Sequence, residues 1–146
     1  MFAKEEQVNN RLTGADMTKR KLEGVRVLVV EDEYMIADDL VRVLSEAGAK
    51  VIGPASSLTG ATDLAEATLL DAAVLDINLR GIAVYPLVDM LRARGVPVVL
   101  ATGYGTDAIP LAYADLPHCE KPVTPETVRD VVAQASVLPT GPLPPR

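Results

Sequence analysis

Residues 72–81 read AAVLDINLRG, and the reading of this stretch decides the fold. Ala72 to Leu75 is an uninterrupted apolar run, the pattern of a strand buried on both faces, and it ends at an acid, Asp76. A short polar loop with Gly81 follows, and the hydrophobic period then lengthens to that of a helix. Asp76 is therefore expected at the carboxyl end of a strand, the edge of an open α/β sheet where ligands and reactive groups gather. An isolated aspartate in such a place is ordinarily a turn cap. Whether Asp76 is more than that depends on what the other strand ends carry.

Working outward, the same alternation recurs. Upstream, Val25 to Val30 (VRVLVV) is a β-branched run closed by Glu31, Asp32 and Glu33, and Ile36, Leu40, Leu44 and Ala47 then fall at helical spacing. Gly48 stands where a left-handed helix end wants it. Lys50 to Gly53 predicts a short second strand stopped by Pro54, after which Ser56 or Ser57 caps a helix carrying Leu58, Ala61, Ala65 and Thr68. Downstream of Gly81, Leu87, Val88 and Leu91 mark a helix with Pro86 in its first turn and Gly95 at its end. Pro97 to Ala101 is a fourth strand closed by Thr102. The segment after it supports only a short helix between Asp107 and Ala114, because Pro110 interrupts it. Leu116 to Glu120, with Pro117, suits an edge strand. Thr124, Pro125 and Glu126 open a last helix with Val128, Val131, Val132 and Ala135 on one face, and Pro139 ends it.

Five strand and helix patterns in alternation predict a doubly wound five-stranded parallel sheet of order 2-1-3-4-5 with helices on both faces and a weak fourth helix. The domain is expected over 25–138, preceded by a polar flexible leader at 1–24 and followed by a proline-rich tail at 139–146.

Composition narrows the function classes. The 146 residues carry a formal net charge of -6, a field that repels nucleic acid. The one dense basic run, Lys19 to Lys21, reads as a solvated flank. A lone cysteine, Cys119, excludes an intramolecular disulfide and a cysteine-rich metal site. With no apolar stretch long enough for a bilayer and no signal-peptide pattern, the expected location is the cytoplasm, away from membranes.

The strand ends now bear on Asp76. The first contributes Glu31 and Asp32, the fourth Thr102 and the fifth Lys121, and the predicted strand order lets all of them converge. Each alone has an ordinary explanation as a cap, a turn hydroxyl or a surface charge. Together they do not, because carboxylates roughly 4 Å apart at an effective dielectric near 20 repel by about 4 kcal/mol per pair. Such a cluster needs a cation. A hard ion such as Mg2+ takes carboxylate and carbonyl oxygens, here Asp32, Asp76 and the backbone carbonyl near Asn78. A carboxylate flanked by a metal, a lysine and a hydroxyl can accept a phosphoryl group.

At this point the chain resembles the CheY-like receiver domain of two-component response regulators, with its flavodoxin-like fold. The motifs that carry the resemblance are V-E-D-E at 30–33, L-D-I-N-L at 75–79, A-T-G at 101–103 and E-K-P at 120–122. It implies Asp76 as phosphoacceptor, Glu31 and Asp32 as the acidic pair that binds Mg2+, Thr102 as switch hydroxyl and Lys121 as phosphate contact, with a cis bond to Pro122. The run A-T-G-Y-G is similar to the receiver subgroup named for Phe-Ala-Thr-Gly-Tyr, with Leu100 in place of the phenylalanine. Partners implied are a histidine kinase or histidine phosphotransfer protein and an unidentified downstream protein. No output or DNA-binding domain is expected, so the output is a protein contact or the draining of phosphate. Beyond self-catalysed phosphotransfer and autodephosphorylation, enzyme activity is not expected.

Two departures stand out. His118 occupies the place of the usual aromatic switch residue, and the segment from Thr102 to Lys121 is short for such a domain. His118 and Tyr104 are the candidates to modulate the switch, each against a plain packing role. Two other readings compete: a receiver-like binding module that works unphosphorylated, and a phosphatase similar to haloacid dehalogenases. The second is disfavoured because E-D-E stands where that family has D-x-D, and no cap insertion is present.

Overall fold

The computed structural model describes residues 21–103 and 109–137. Tyr104, residues 1–20 of the expected leader and the proline-rich tail fall outside them. In chain order the elements are β1 (Arg26–Val30), α1 (Tyr34–Glu46), β2 (Lys50–Ala55), α2 (Leu58–Ala67), β3 (Ala72–Asp76), α3 (Tyr85–Ala93), β4 (Val98–Thr102), β5 (His118–Glu120) and α4 (Pro125–Val137). The sheet runs β2-β1-β3-β4-β5 with every pair parallel, the order expected from the sequence.

Alternation along the buried strands divides the core between the two faces. Val27 and Val29 of β1, with Val74 and Val99, pack against Leu40 and Leu44 of α1 and Val128 and Val131 of α4. Leu28, Val30, Leu75 and Leu100 point the other way, onto Ala61 and Ala65 of α2 and Leu87, Val88 and Leu91 of α3. Burying one Val or Leu side chain contributes roughly 1.5–3 kcal/mol, so these two mainly aliphatic layers are the principal support of the sheet.

The helix ends follow local chemistry. Ser57 Oγ accepts the Gly60 N–H at 3.0 Å, which selects Ser57 as the α2 cap, and Thr124 Oγ1 accepts the Thr127 N–H at 3.3 Å at the start of α4. Thr68 is extended and lies just beyond α2.

Three expectations are corrected. Pro54 does not stop the second strand: β2 continues to Ala55 across an irregularity in its register with β1, and the Gly53–Pro54 bond is cis. The edge position makes the missing proline donor inexpensive. A Cβ on Gly53 would stand 2.9 Å from both Val29 O and Ala55 N, so only glycine fits. Nor does the leader reach residue 24. Leu22 is fully buried beneath α1, and its N–H donates to Ala47 O at 2.8 Å, so residues 21–24 belong to the folded body. Finally, the loop after Asp76 is built. Asn78–Leu79 and Ile82–Ala83 form an antiparallel ladder closed by Arg80 and Gly81, both at positive φ (54° and 87°).

Between β4 and β5 the described residues hold one 3-10 turn, Leu111–Tyr113, beginning after Pro110. The Tyr113 ring stacks on Tyr85 of α3 with centroids 4.4 Å apart, and its hydroxyl donates to Asp89 Oδ1 at 2.9 Å.

Candidate functional site

The carboxyl ends of β1, β3, β4 and β5 bring the expected residues together. The irregular end of β2 presents Ala55 O to the Glu31 N–H at 2.9 Å, and this bond fixes the backbone where β1 becomes the acidic loop. Glu31 is buried, and both of its oxygens are engaged. Oε2 accepts the Glu33 N–H at 3.0 Å, and Oε1 lies 2.8 Å from Lys121 Nζ. The ammonium also reaches Asp76 Oδ2 at 3.4 Å. Lys121 is itself placed by the sheet, because its N–H donates to Thr102 O at 2.9 Å and the Lys121–Pro122 bond is cis. Asp76 sits beside Ala101 in the β3–β4 register, and its Oδ1 accepts the Asn78 N–H at 3.4 Å.

One carboxylate oxygen from each of Glu31, Asp32 and Asp76 can be chosen so that all three lie within 4.8 Å of one another. Electrostatics follows from that crowding. Burial, then the Glu31 charge, pushes Asp76 up to about 6, against the opposing pull of Lys121 and the Asn78 amide. Burial by itself would lower Lys121, but the Glu31 and Asp76 carboxylates outweigh it and raise the ammonium above its ordinary value. The lysine is held charged, and one cation is too few for the anions around it.

Three clustered oxygen donors with no sulfur or imidazole among them fit a hard divalent ion such as Mg2+. Asp32 and Asp76 are the more open donors, while Glu31 is the buried partner of Lys121. The Asn78 side chain is committed to the turn, its Oδ1 accepting the Gly81 N–H at 2.6 Å, so any part in metal binding falls to its backbone carbonyl. Thr102 is half-buried at the end of β4 beside these groups.

Of the two candidate modulators, His118 does not join the cluster. His118 is exposed, and its ring Nδ1 lies 2.9 Å from Leu116 O, so the ring turns back along its own segment. Tyr104 lies outside the described residues. Sequence reasoning missed Arg80, whose Nε is 4.0 Å from Asp32 Oδ2. The R-G dipeptide after D-I-N-L was the available signal, since it closes a tight hairpin beside the acids. Next to the site, a groove of about 500 Å3 runs between α1 and the start of α4, lined by Ile36, Val43, Val123 and Pro125 with Glu31 and Lys121 at its inner end.

Comparison with known proteins agrees with this architecture. The response regulator receiver domain model matches residues 27–133, and the chain belongs to that family. The solution structure of SdrG from Sphingomonas melonis Fr1 is 34% identical with a TM-score of 0.61, covering 80% of this chain and 98% of that one. A CheY-like receiver domain from Methanospirillum hungatei JF-1 shares the fold at 22% identity, with a TM-score of 0.68 over 78% of this chain and 98% of that one. Among curated proteins, the probable transcriptional regulatory protein SilR of Salmonella typhimurium is 36% identical over 84 residues, 56% of this chain and 36% of that protein. The transcriptional regulatory protein PdtaR of Mycobacterium tuberculosis is 31% identical over 80 residues, 54% of this chain and 39% of that protein. The chain thus spans less than two-fifths of the length of these curated relatives. Among the described residues no helix is long and apolar enough to cross a membrane.

Proposed function

We propose that this receiver domain accepts a phosphoryl group on Asp76 from a phosphohistidine of a histidine kinase or phosphotransfer protein in the cytoplasm. It then passes the signal on through a protein contact or serves as a sink for phosphate. The observation that carries the reading is the pairing of Asp76 with Lys121 at 3.4 Å inside a three-carboxylate cluster. An Asp76 oxygen attacks the phosphorus of the donor, the N–P bond breaks, and the imidazole nitrogen leaves with the electron pair and takes up a proton. Lys121 keeps a positive charge beside the transferring oxygens, and the Thr102 hydroxyl stands at the neighbouring strand end to hydrogen-bond one of them. A bound Mg2+, held by Asp32, Asp76 and the Asn78 carbonyl with Glu31 behind them, would neutralise charge on the same oxygens.

Incubation with acetyl phosphate or a phosphohistidine donor and Mg2+ should add one phosphoryl group, read by intact mass. Asp76→Ala should remove the addition. Labelling that persists in that variant overturns the assignment. Binding of a partner without phosphorylation is the other reading, and an unlabelled wild-type protein that binds no Mg2+ at millimolar concentration would favour it.

A further inference from the structure

Arg80 has no part in the reading above, yet the fold builds it into the edge of the site. Its φ of 54° is one that L residues seldom adopt, and several contacts impose it: the Asn78–Leu79 to Ile82–Ala83 ladder, the 2.6 Å bond from Gly81 N–H to Asn78 Oδ1, and the burial of Leu79. The turn sets Nε of Arg80 4.0 Å from Asp32 Oδ2, with the side chain 73% exposed. Asp32 is in turn one carboxylate away from Asp76.

A charge count gives this placement a consequence. Among the described residues, two cations reach the three acids: Lys121 at Glu31 and Asp76, and Arg80 at Asp32. The metal-free cluster is thus one charge negative. A divalent ion reverses the sign to one positive, so ion and guanidinium compete for Asp32. A phosphoryl group turns the Asp76 carboxylate into an acyl phosphate with about one further negative charge, which makes the loaded cluster neutral with Arg80 in place.

We propose that Arg80 is a resident counter-ion of the site, opposing the metal at Asp32 in the unphosphorylated protein and favouring the phosphoryl group once the metal is bound. This rests on Asp76 being the phosphoacceptor. It gives one side chain opposite effects on two ligands, which a merely structural turn residue would not have.

The test compares wild type with Arg80→Gln, which keeps a polar, unbranched side chain and the turn strain but removes the charge, and with Arg80→Lys, which keeps the charge. Mg2+ affinity of the unphosphorylated protein is measured by calorimetry, and affinity for trifluoroberyllate, a phosphoryl mimic, is measured at saturating Mg2+. Arg80→Gln should bind Mg2+ about two- to five-fold more tightly and trifluoroberyllate more weakly by a similar factor, the range of an exposed ion pair. Both changes should shrink at high salt, and Arg80→Lys should fall between the two proteins. Unchanged affinities, or two shifts in the same direction, overturn the counter-ion role while leaving the phosphoacceptor reading intact. A wild-type protein that binds neither ligand overturns both.

Discussion

Asp71 and Asp76 bracket β3, one just before its first residue and the other at its last. At the amino end, Asp71 Oδ2 accepts both the Arg26 N–H at 2.9 Å and the guanidinium Nε at 3.1 Å. That bonding outweighs its partial burial and holds the Asp71 carboxyl below its ordinary value. At the carboxyl end, burial and Glu31 push Asp76 to about 6. The same residue type on one strand is therefore stabilising at one end of the sheet and electrostatically costly at the other. The difference lies in pairing. Asp71 has a forked partner to itself, whereas Asp76 shares one ammonium with Glu31.

The largest test of this contrast is to remove the shared cation. Lys121→Ala leaves buried Glu31 facing Asp76 with no counter-charge, and metal-free urea unfolding should show a loss of about 3 kcal/mol. Adding Asp76→Asn to that variant should recover part of the loss. A double variant no more stable than Lys121→Ala would show that repulsion is not the cause. A smaller effect is expected at the other end. Asp71→Ala removes charge-assisted bonds that are open to solvent, and should cost about 1 kcal/mol without changing phosphoryl incorporation.

The pH dependence of stability differs in sign between the two ends. Because the folded pKa of Asp76 is raised above 3.8, its contribution is most favourable below 3.8 and is lost as pH rises to about 6. Asp71 is the reverse: its contribution is present above 3.8 and is lost as pH falls through its lowered value. The metal-free unfolding free energy should therefore fall more steeply from pH 4 to 7 in wild type than in Asp76→Asn, while Asp71→Asn runs parallel to wild type and below it there and converges on it only at lower pH. An Asp76→Asn curve as steep as wild type would place the titration elsewhere.

Much of this was readable before any coordinates. The five strands, their order and the residues at their ends follow from apolar runs, helical spacing and glycine stops, which are local features of the chain. The four motifs around Glu31, Asp76, Thr102 and Lys121 pointed to one site because parallel topology gathers strand ends on one edge. The misses have physical reasons. Gly53–Pro54 looks like a stop, and only pairing with β1 shows that the edge strand tolerates it. Leu22 is a single apolar residue in a polar stretch, without periodicity, and its burial depends on the space left below the end of α1. Arg80 lies in a short polar loop without periodicity, and its place beside Asp32 comes from the ladder that closes that loop.

Hydrophobic period and motif order are properties of neighbouring residues, and they sufficed for the strand order and for expecting Glu31, Asp32, Asp76 and Lys121 at one edge, but not for Arg80. How the site shares its charge is set by long-range packing: Lys121 on Glu31 and Asp76, Arg80 on Asp32, and Asp76 left short of a full partner. Those distances join residues far apart in the chain, and a few ångströms of strand register settle which carboxylate each cation reaches.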